Sequence, residues 1–427
     1  MAAASNIEKT VYLDYNATTP LAPSVLQIIH ETLRDAWGNP SSSHFAGKQA
    51  KEIINVARNR VATMIGASNH NIVFTSGGTE ANNMVFFSAM KHYNNCCDKK
   101  GGEKALPHFI TSNIEHDSVI LAIENMVKEG LCERSIVGMS PSTGMVDVEQ
   151  IFNEIRPNTC LISVMMANNE SGVIQPIKEI VSRIRSLKHS QDLADCNATK
   201  IFIHTDAAQA IGKIKVDVSE LGVDYLTIVG HKFYAPRIGA LFVKAPSEDT
   251  PLFPMLFGGG QERNFRPGTE NTGMIAGLGE AAQLVIDNLE AYHKHMKEVR
   301  EYLEKRLLQV FPNQIHFNGK FNDVDGRIPN TCNFSILGSQ LHGHRILSRL
   351  KKTQISLGAA CHSDKVFAPS KILLAMGISY DIASNALRAS VGRETTFSDV
   401  DCVVDDLFQA VVELKKCWRR IVVIIRD

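Results

Sequence analysis

No stretch of this sequence stays apolar and charge-free for the roughly 20 residues a membrane-spanning helix needs, which argues against a membrane role. An excess of basic charge is missing too. Lysine plus arginine number 45, and so do aspartate plus glutamate. That leaves no positive field to attract a phosphodiester backbone, so nucleic acid is not an expected partner. The nine cysteines, at 96, 97, 132, 160, 196, 332, 361, 402 and 417, form no C-x-x-C pair and keep no regular spacing. Such a set argues against a disulfide scaffold or a zinc site and fits a reducing compartment. There is no internal repeat, low-complexity tract, apolar signal core or arginine-rich presequence, so the cytosol is the expected location. Neither common nucleotide signature appears: Walker A is absent, and Gly277–Gly279 is too short a match for a dinucleotide fingerprint.

What is present is an ordinary globular composition, 44% hydrophobic and 21% charged, in a chain of 427 residues. That length suits two domains better than one small core. From about residue 50 to 245, β-rich apolar runs alternate with helical patterns. Lys51–Ile65 repeats apolar residues every three or four positions and reads as an amphipathic helix. Strands are expected at Asn71–Thr75, His108–Thr111, Cys160–Met166, Ile201–Thr205, Tyr225–Val229 and Ala240–Val243. This alternation predicts an α/β fold whose mainly parallel sheet is covered on both faces. The polar stretches Cys96–Lys104 and Lys188–Lys200 read as surface insertions. A long helix is expected from about Ile275 to Gln309, and the short run Ile421–Ile425 as a buried strand or helix end. The expected division is a large domain over 20–275 and a smaller α+β domain over 276–427, joined by 1–19.

Chemistry collects just after the strands, where open parallel sheets bind ligands. Ser76-Gly77-Gly78-Thr79 lies between a strand and a helix, a place where free amides can meet an anion. Asp206 follows the strand IFIHT, and a buried carboxylate there needs a cationic partner such as a protonated pyridine nitrogen. Lys232 follows YLTIV, and a strand-end lysine is costly unless neutralised or used covalently. Cys361 sits among small residues with His362 beside it, a setting that leaves a thiol accessible. His116 follows HFITS and could stack on a planar ring, while Asn169 follows LISVMMA and could reach a phenolic oxygen. Taken singly, Ser76–Thr79 is equally well read as a helix cap, and Asp206, His116, Asn169 and Cys361 are better read as caps, structural amides or inert thiols; Lys232, at a strand end beside a histidine, stands apart from the usual surface lysine.

Together the residues resemble the cysteine desulfurase group of fold-type I pyridoxal-phosphate enzymes. The likeness runs from Tyr12 to about Thr396 through YLDYNATTP (12–20), GNPSSSH (38–44), FTSGGTEANN (74–83), EHDSV (115–119) and MMANNESGVIQP (165–176). It continues through HTDAAQAIGK (204–213), GHKFYAPRIGAL (230–241) and GGGQERNFRPGTEN (258–271). GAACHSD (358–364), TIVGHKFY (227–234) and NFRPGTEN (264–271) narrow it to members acting on L-selenocysteine.

The resemblance implies pyridoxal 5′-phosphate as cofactor, with Lys232 its covalent holder and Asp206 at the ring nitrogen. It places Gln209 and Asn169 at the phenolic oxygen and His116 over the ring as a proton-transfer aid. Gly78, Thr79 and His231 would hold the phosphate. Thr269 would reach the phosphate of a neighbouring subunit, which implies a homodimer. Arg388 would clamp the substrate carboxylate. Cys361 would take selenium from L-selenocysteine as an S-selanyl cysteine, leaving L-alanine, and a reductant would free selenide, with a selenide-accepting protein as a candidate partner. Desulfuration of cysteine through a persulfide on Cys361 is the alternative. A non-catalytic scaffold, a nicotinamide dehydrogenase and an aminotransferase are the competing classes. Two departures from the family pattern stand out: Val229 replaces a usual hydroxyl, and Ala235 a usual glycine, which would be strained there if φ were positive.

Overall fold

The computed structural model describes residues 10–100, 105–187, 200–321, 326–358 and 368–426. The first half of the chain gives β1 (Val11–Tyr12), α1 (Pro23–Asp35), α2 (Phe45–Met64), β2 (Ile72–Thr75), α3 (Gly78–Lys100), β3 (His108–Ser112) and α4 (Asp117–Lys128). Then come β4 (Glu133–Val137), α5 (Val148–Asn153), β5 (Thr159–Ser163), α6 (Ile177–Leu187), β6 (Phe202–Asp206), α7 (Val218–Leu221), β7 (Tyr225–Val229) and β8 (Gly239–Val243). The rest comprises α8 (Thr272–Val310), β9 (Ile315–Phe317), β10 (Thr331–Ile336), α9 (Gly343–Leu347) and β11 (Thr353–Gln354). It ends with α10 (Lys371–Ala375), α11 (Tyr380–Ser384), β12 (Ala386–Ser390) and α12 (Phe397–Arg426).

Seven strands form one sheet in the order β2-β8-β7-β6-β5-β3-β4. From β7 to β4 the pairings are parallel, and β8 runs against both β2 and β7. Successive residues of each strand feed opposite cores. Phe109, Leu161, Phe202 and Tyr225 pack with Met84 and Phe86 of α3 and Val119 and Ile123 of α4. Their neighbours Ile110, Ile162, Ile203 and Leu226 pack on the other face with Ile54 of α2, Ile180 of α6 and Leu278 of α8. Burial on both faces is why these strands read as unbroken apolar runs. α2 and α8 approach closely enough that a Cβ at Gly279 would lie 2.5 Å from the Ala57 Cα.

A smaller antiparallel sheet, β12-β10-β9, packs against the second half of α8 and against α12. β1 pairs in parallel with β11, which ties the N-terminal segment to this C-terminal part. The next residues cross to the main sheet, where Asn16 is fully buried.

β7 has the expected bounds, and α8 runs slightly beyond both expected ends. β4 was not anticipated, because it is an edge strand with alternate residues exposed and charges at Glu133 and Arg134. The polar stretch from Cys96 begins as helix rather than insertion, since α3 continues to Lys100. Apart from Lys200, the stretch 188–200 lies outside the described residues. The run Ile421–Ile425 is part of α12. Among the described residues, no helix is long and apolar enough to cross a membrane.

Candidate active site

Five strands of the large sheet and one of the small sheet send residues to a single cavity of about 280 Å³. Gly78 and Thr79 open α3 after β2, and His116 follows β3. Asn169 comes from the segment after β5, Asp206 and Gln209 from the end of β6, and His231 and Lys232 from the 3-10 turn after β7. Arg388 reaches in from β12. The structure thus brings these residues to one wall-lined space. Thr269 is exposed on the loop before α8 and does not line the cavity. Cys361 lies outside the described residues.

The Lys232 amine donates to the backbone carbonyls of Asn16 (2.7 Å) and Ala17 (2.8 Å). Asp206 is buried, and its oxygens accept from the Ala208 amide (2.9 Å) and the Asn82 side chain (3.0 Å). His116 caps α4, with Nδ1 accepting from the Ser118 amide (3.1 Å). Burial, with the neighbouring Lys232 and Arg237 charges, pushes His231 down to about 4, so its ring is neutral at ordinary pH. The buried Arg388 guanidinium donates to Asp14 (2.6 Å) and to the Asn169 carbonyl (2.9 Å). Its Nε has no hydrogen-bond partner among the described residues. Asn169 likewise keeps a buried Oδ1 without one.

Several contributors were not singled out in the sequence. Asn16 uses every polar group. Its amide donates to Ser390 Oγ (2.9 Å), Nδ2 to the Asn169 carbonyl (3.1 Å) and Thr331 Oγ1 (2.8 Å), and Oδ1 accepts from Asn330 (3.0 Å). Lys213 is buried, with its amine on Gln209 Oε1 (2.8 Å) and Asn16 Oδ1 (3.3 Å). That contact turns the Gln209 amide so that Nε2 donates to the Asn16 carbonyl (3.0 Å). Burial first, then the Lys232 and Arg388 charges, hold the Lys213 amine well below its usual range. Nothing local marked these residues, because the contacts that join Asn16 to Lys213, Asn330 and Ser390 are remote in sequence. The strain expected at Ala235 is absent: Tyr234 carries the positive φ, 67°, and Ala235 does not.

The chain belongs to the class-V aminotransferase family, whose model matches residues 11–403. Its fold is that of the fold-type I pyridoxal-phosphate enzymes, and its cofactor is pyridoxal 5′-phosphate. More narrowly, it is 53% identical over 415 residues to the selenocysteine lyase of Rattus norvegicus, covering 95% of each chain. It is 52% identical to the selenocysteine lyase of Homo sapiens, over 96% of this chain and 93% of that one. Identity to the mitochondrial cysteine desulfurase of Saccharomyces cerevisiae is 38%, over 97% and 78% respectively. Among solved structures, a NifS-like protein matches with a TM-score of 0.81 at 29% identity, covering 95% of this chain and all of the other. SspA in complex with cysteine matches at 0.74 and 30% identity, over 91% and 100%.

The residues present fit the cofactor. Asp206 offers an anion for a protonated ring nitrogen, and the orphaned Asn169 Oδ1 and Arg388 Nε await polar partners. At the start of α3, a Cβ on Gly78 would lie 2.6 Å from Val229 Cγ2, so glycine lets this helix start, whose amides can meet a phosphate, sit close against the end of β7. Val229 supplies no hydroxyl at this point, leaving Thr79, His231 and the amides as the donors lining it.

Proposed function

We propose that this chain is a carbon–selenium lyase that converts L-selenocysteine to L-alanine and selenide. The observation that carries the reading is the convergence of Lys232, Asp206, His116 and Arg388, from four different strands, on one cavity. Selenium is preferred over sulfur because identity to selenocysteine lyases reaches 53%, against 38% for a cysteine desulfurase.

When bound, the cofactor supplies an electron sink for the charge left at Cα. Lys232 would hold it covalently and, as a free amine, would move the Cα proton. The carbonyls of Asn16 and Ala17 give the displaced amine a resting place beside the cavity. Asp206 holds the proton of the ring nitrogen. Arg388 binds the substrate carboxylate, its Nε among the donors not already engaged. The Cβ–Se bond breaks as selenium passes to the Cys361 sulfur, giving an S–Se bond, and the carbon skeleton leaves as alanine with a proton at Cβ. Two thiols of an external reductant then restore the Cys361 thiol and release selenide.

Thr269, exposed and outside the cavity, suits contact with a second copy, and we read the enzyme as a homodimer. Free, buried Cys132, Cys160 and Cys332 suit a reducing, cytosolic setting. The test compares alanine release from selenocysteine and from cysteine, each at saturation, together with the mass of the Cys361 peptide. Faster turnover of selenocysteine with a selenium adduct on Cys361 is expected. Equal turnover would favour a cysteine desulfurase, and an unmodified Cys361 would remove the proposed chemistry.

A further inference from the structure

We infer that Asn82 is a positioning residue for this reaction, the branch point of a one-way hydrogen-bond chain that keeps Asp206 acceptor-only and His116 protonated on Nε2. The inference rests on the cofactor reading of the cavity. Asn82 lies on α3, is fully buried, and does not line the cavity.

Its amide can point only one way. Nδ2 donates to Asp206 Oδ2 (3.0 Å) and to Ser118 Oγ (2.8 Å). A flipped amide would set its oxygen against the carboxylate, acceptor to acceptor. With Nδ2 so placed, Oδ1 faces Thr227, whose hydroxyl donates to it (2.7 Å). That commits the only Thr227 proton, so Thr227 Oγ1 accepts from His204 Nε2 (3.0 Å). His204 is buried, and desolvation pushes it down to about 4, so it is neutral and carries one ring proton. With that proton on Nε2, Nδ1 accepts from the Ser163 hydroxyl (2.8 Å).

Donation therefore runs from Ser163 through His204, Thr227 and Asn82 to Asp206, with no donor left over. The other Asp206 oxygen receives the Ala208 amide (2.9 Å), so each oxygen of this carboxylate accepts from a fixed donor. The second branch reaches His116. Ser118 Oγ accepts from Asn82, so the Ser118 hydroxyl proton goes to His116 Nδ1 (2.8 Å). The Ser118 amide donates to the same nitrogen (3.1 Å), and a proton on Nδ1 would meet it head-on. Neutral His116 is left with its proton on Nε2. Buried amides and hydroxyls stabilise only when every member is satisfied, and here satisfaction fixes the direction of the whole chain.

The test loads wild type, Asn82→Ala and Thr227→Val with pyridoxal phosphate carrying ¹⁵N in the ring and records the nitrogen shift. Thr227→Val keeps the side-chain shape and removes the proton that orients Asn82. Wild type is expected to show a protonated ring nitrogen. Asn82→Ala should move the shift toward the unprotonated position and weaken cofactor retention about tenfold, the scale of a lost charge-assisted hydrogen bond. Thr227→Val should move the shift the same way by less, and it carries the test alone if Asn82→Ala does not fold. Wild-type shifts in the variants overturn the inference. A wild type that retains no labelled cofactor overturns the cavity reading itself. In cofactor-free wild type labelled at histidine nitrogens, His116 should show the Nε2–H pattern, and an Nδ1–H pattern also refutes the inference.

Discussion

Replacing Glu115 with glutamine should change how stability depends on pH more than it changes stability itself. Glu115 is buried beside the cavity residue His116. Its Oε1 accepts from the Ser112 hydroxyl (2.6 Å) and the Met165 amide (2.9 Å), while Oε2 is buried with no partner among the described residues. Burial raises its pKa from 4.5 to about 8; the Asp206 charge adds to the rise, and the two donors oppose it. Between those values the folded protein holds a proton that the unfolded chain releases. The stability Glu115 contributes is therefore complete below 4.5 and is lost as pH rises toward 8. From the two pKa values, the wild type loses roughly 3–4 kcal/mol between pH 5 and pH 8 that the glutamine variant keeps. The variant places an amide nitrogen where Oε2 has no partner, a cost of about 1–3 kcal/mol at every pH. Urea unfolding of both proteins at pH 5, 6.5 and 8 should show the variant weaker in acid and stronger in base, with the curves crossing. Parallel pH curves would refute the reasoning.

Gly78→Ala should weaken cofactor retention, because its Cβ would sit 2.6 Å from Val229 Cγ2; adding Val229→Ala should restore part of it. Dialysis followed by the cofactor absorbance measures both, and a double variant no better than the single one contradicts the contact. Lys213→Met should leave urea stability at neutral pH undiminished, since folding holds that amine well below its usual range, while it weakens cofactor binding by freeing the Gln209 amide. A loss of stability with unchanged cofactor binding would reverse that assignment. His108, His204 and His231 are each pushed from 6.5 to about 4, mainly by burial. The unfolded chain takes up these protons first, so stability should fall as pH drops from 6.5 toward 4, and proton uptake on unfolding at pH 5 should show it.

How much could be read from the sequence follows from where each signal lies. Strands buried on both faces announce themselves, as YLTIV does, and the polar residues that end them, Asp206 and Lys232, mark the cavity. β4 was hidden because its exposed side carries charge. Asn82 stood in a recognisable stretch, but its role comes from β6, β7 and α4 meeting around one amide, which no local pattern encodes. Lys213 ends a recognisable stretch, but nothing local shows that its amine is buried. Its partner Asn16 is 197 residues away, and only the crossing of residues 10–19 between the two sheets brings them together.

The central claim is that the Lys232 amine is the covalent anchor of the cofactor in the strand-end cavity. Borohydride reduction of the loaded protein, followed by peptide mass spectrometry, tests it most directly. The account predicts a phosphopyridoxyl group on the peptide containing Lys232. A label on Lys213 or any other lysine, or none at all, would contradict it.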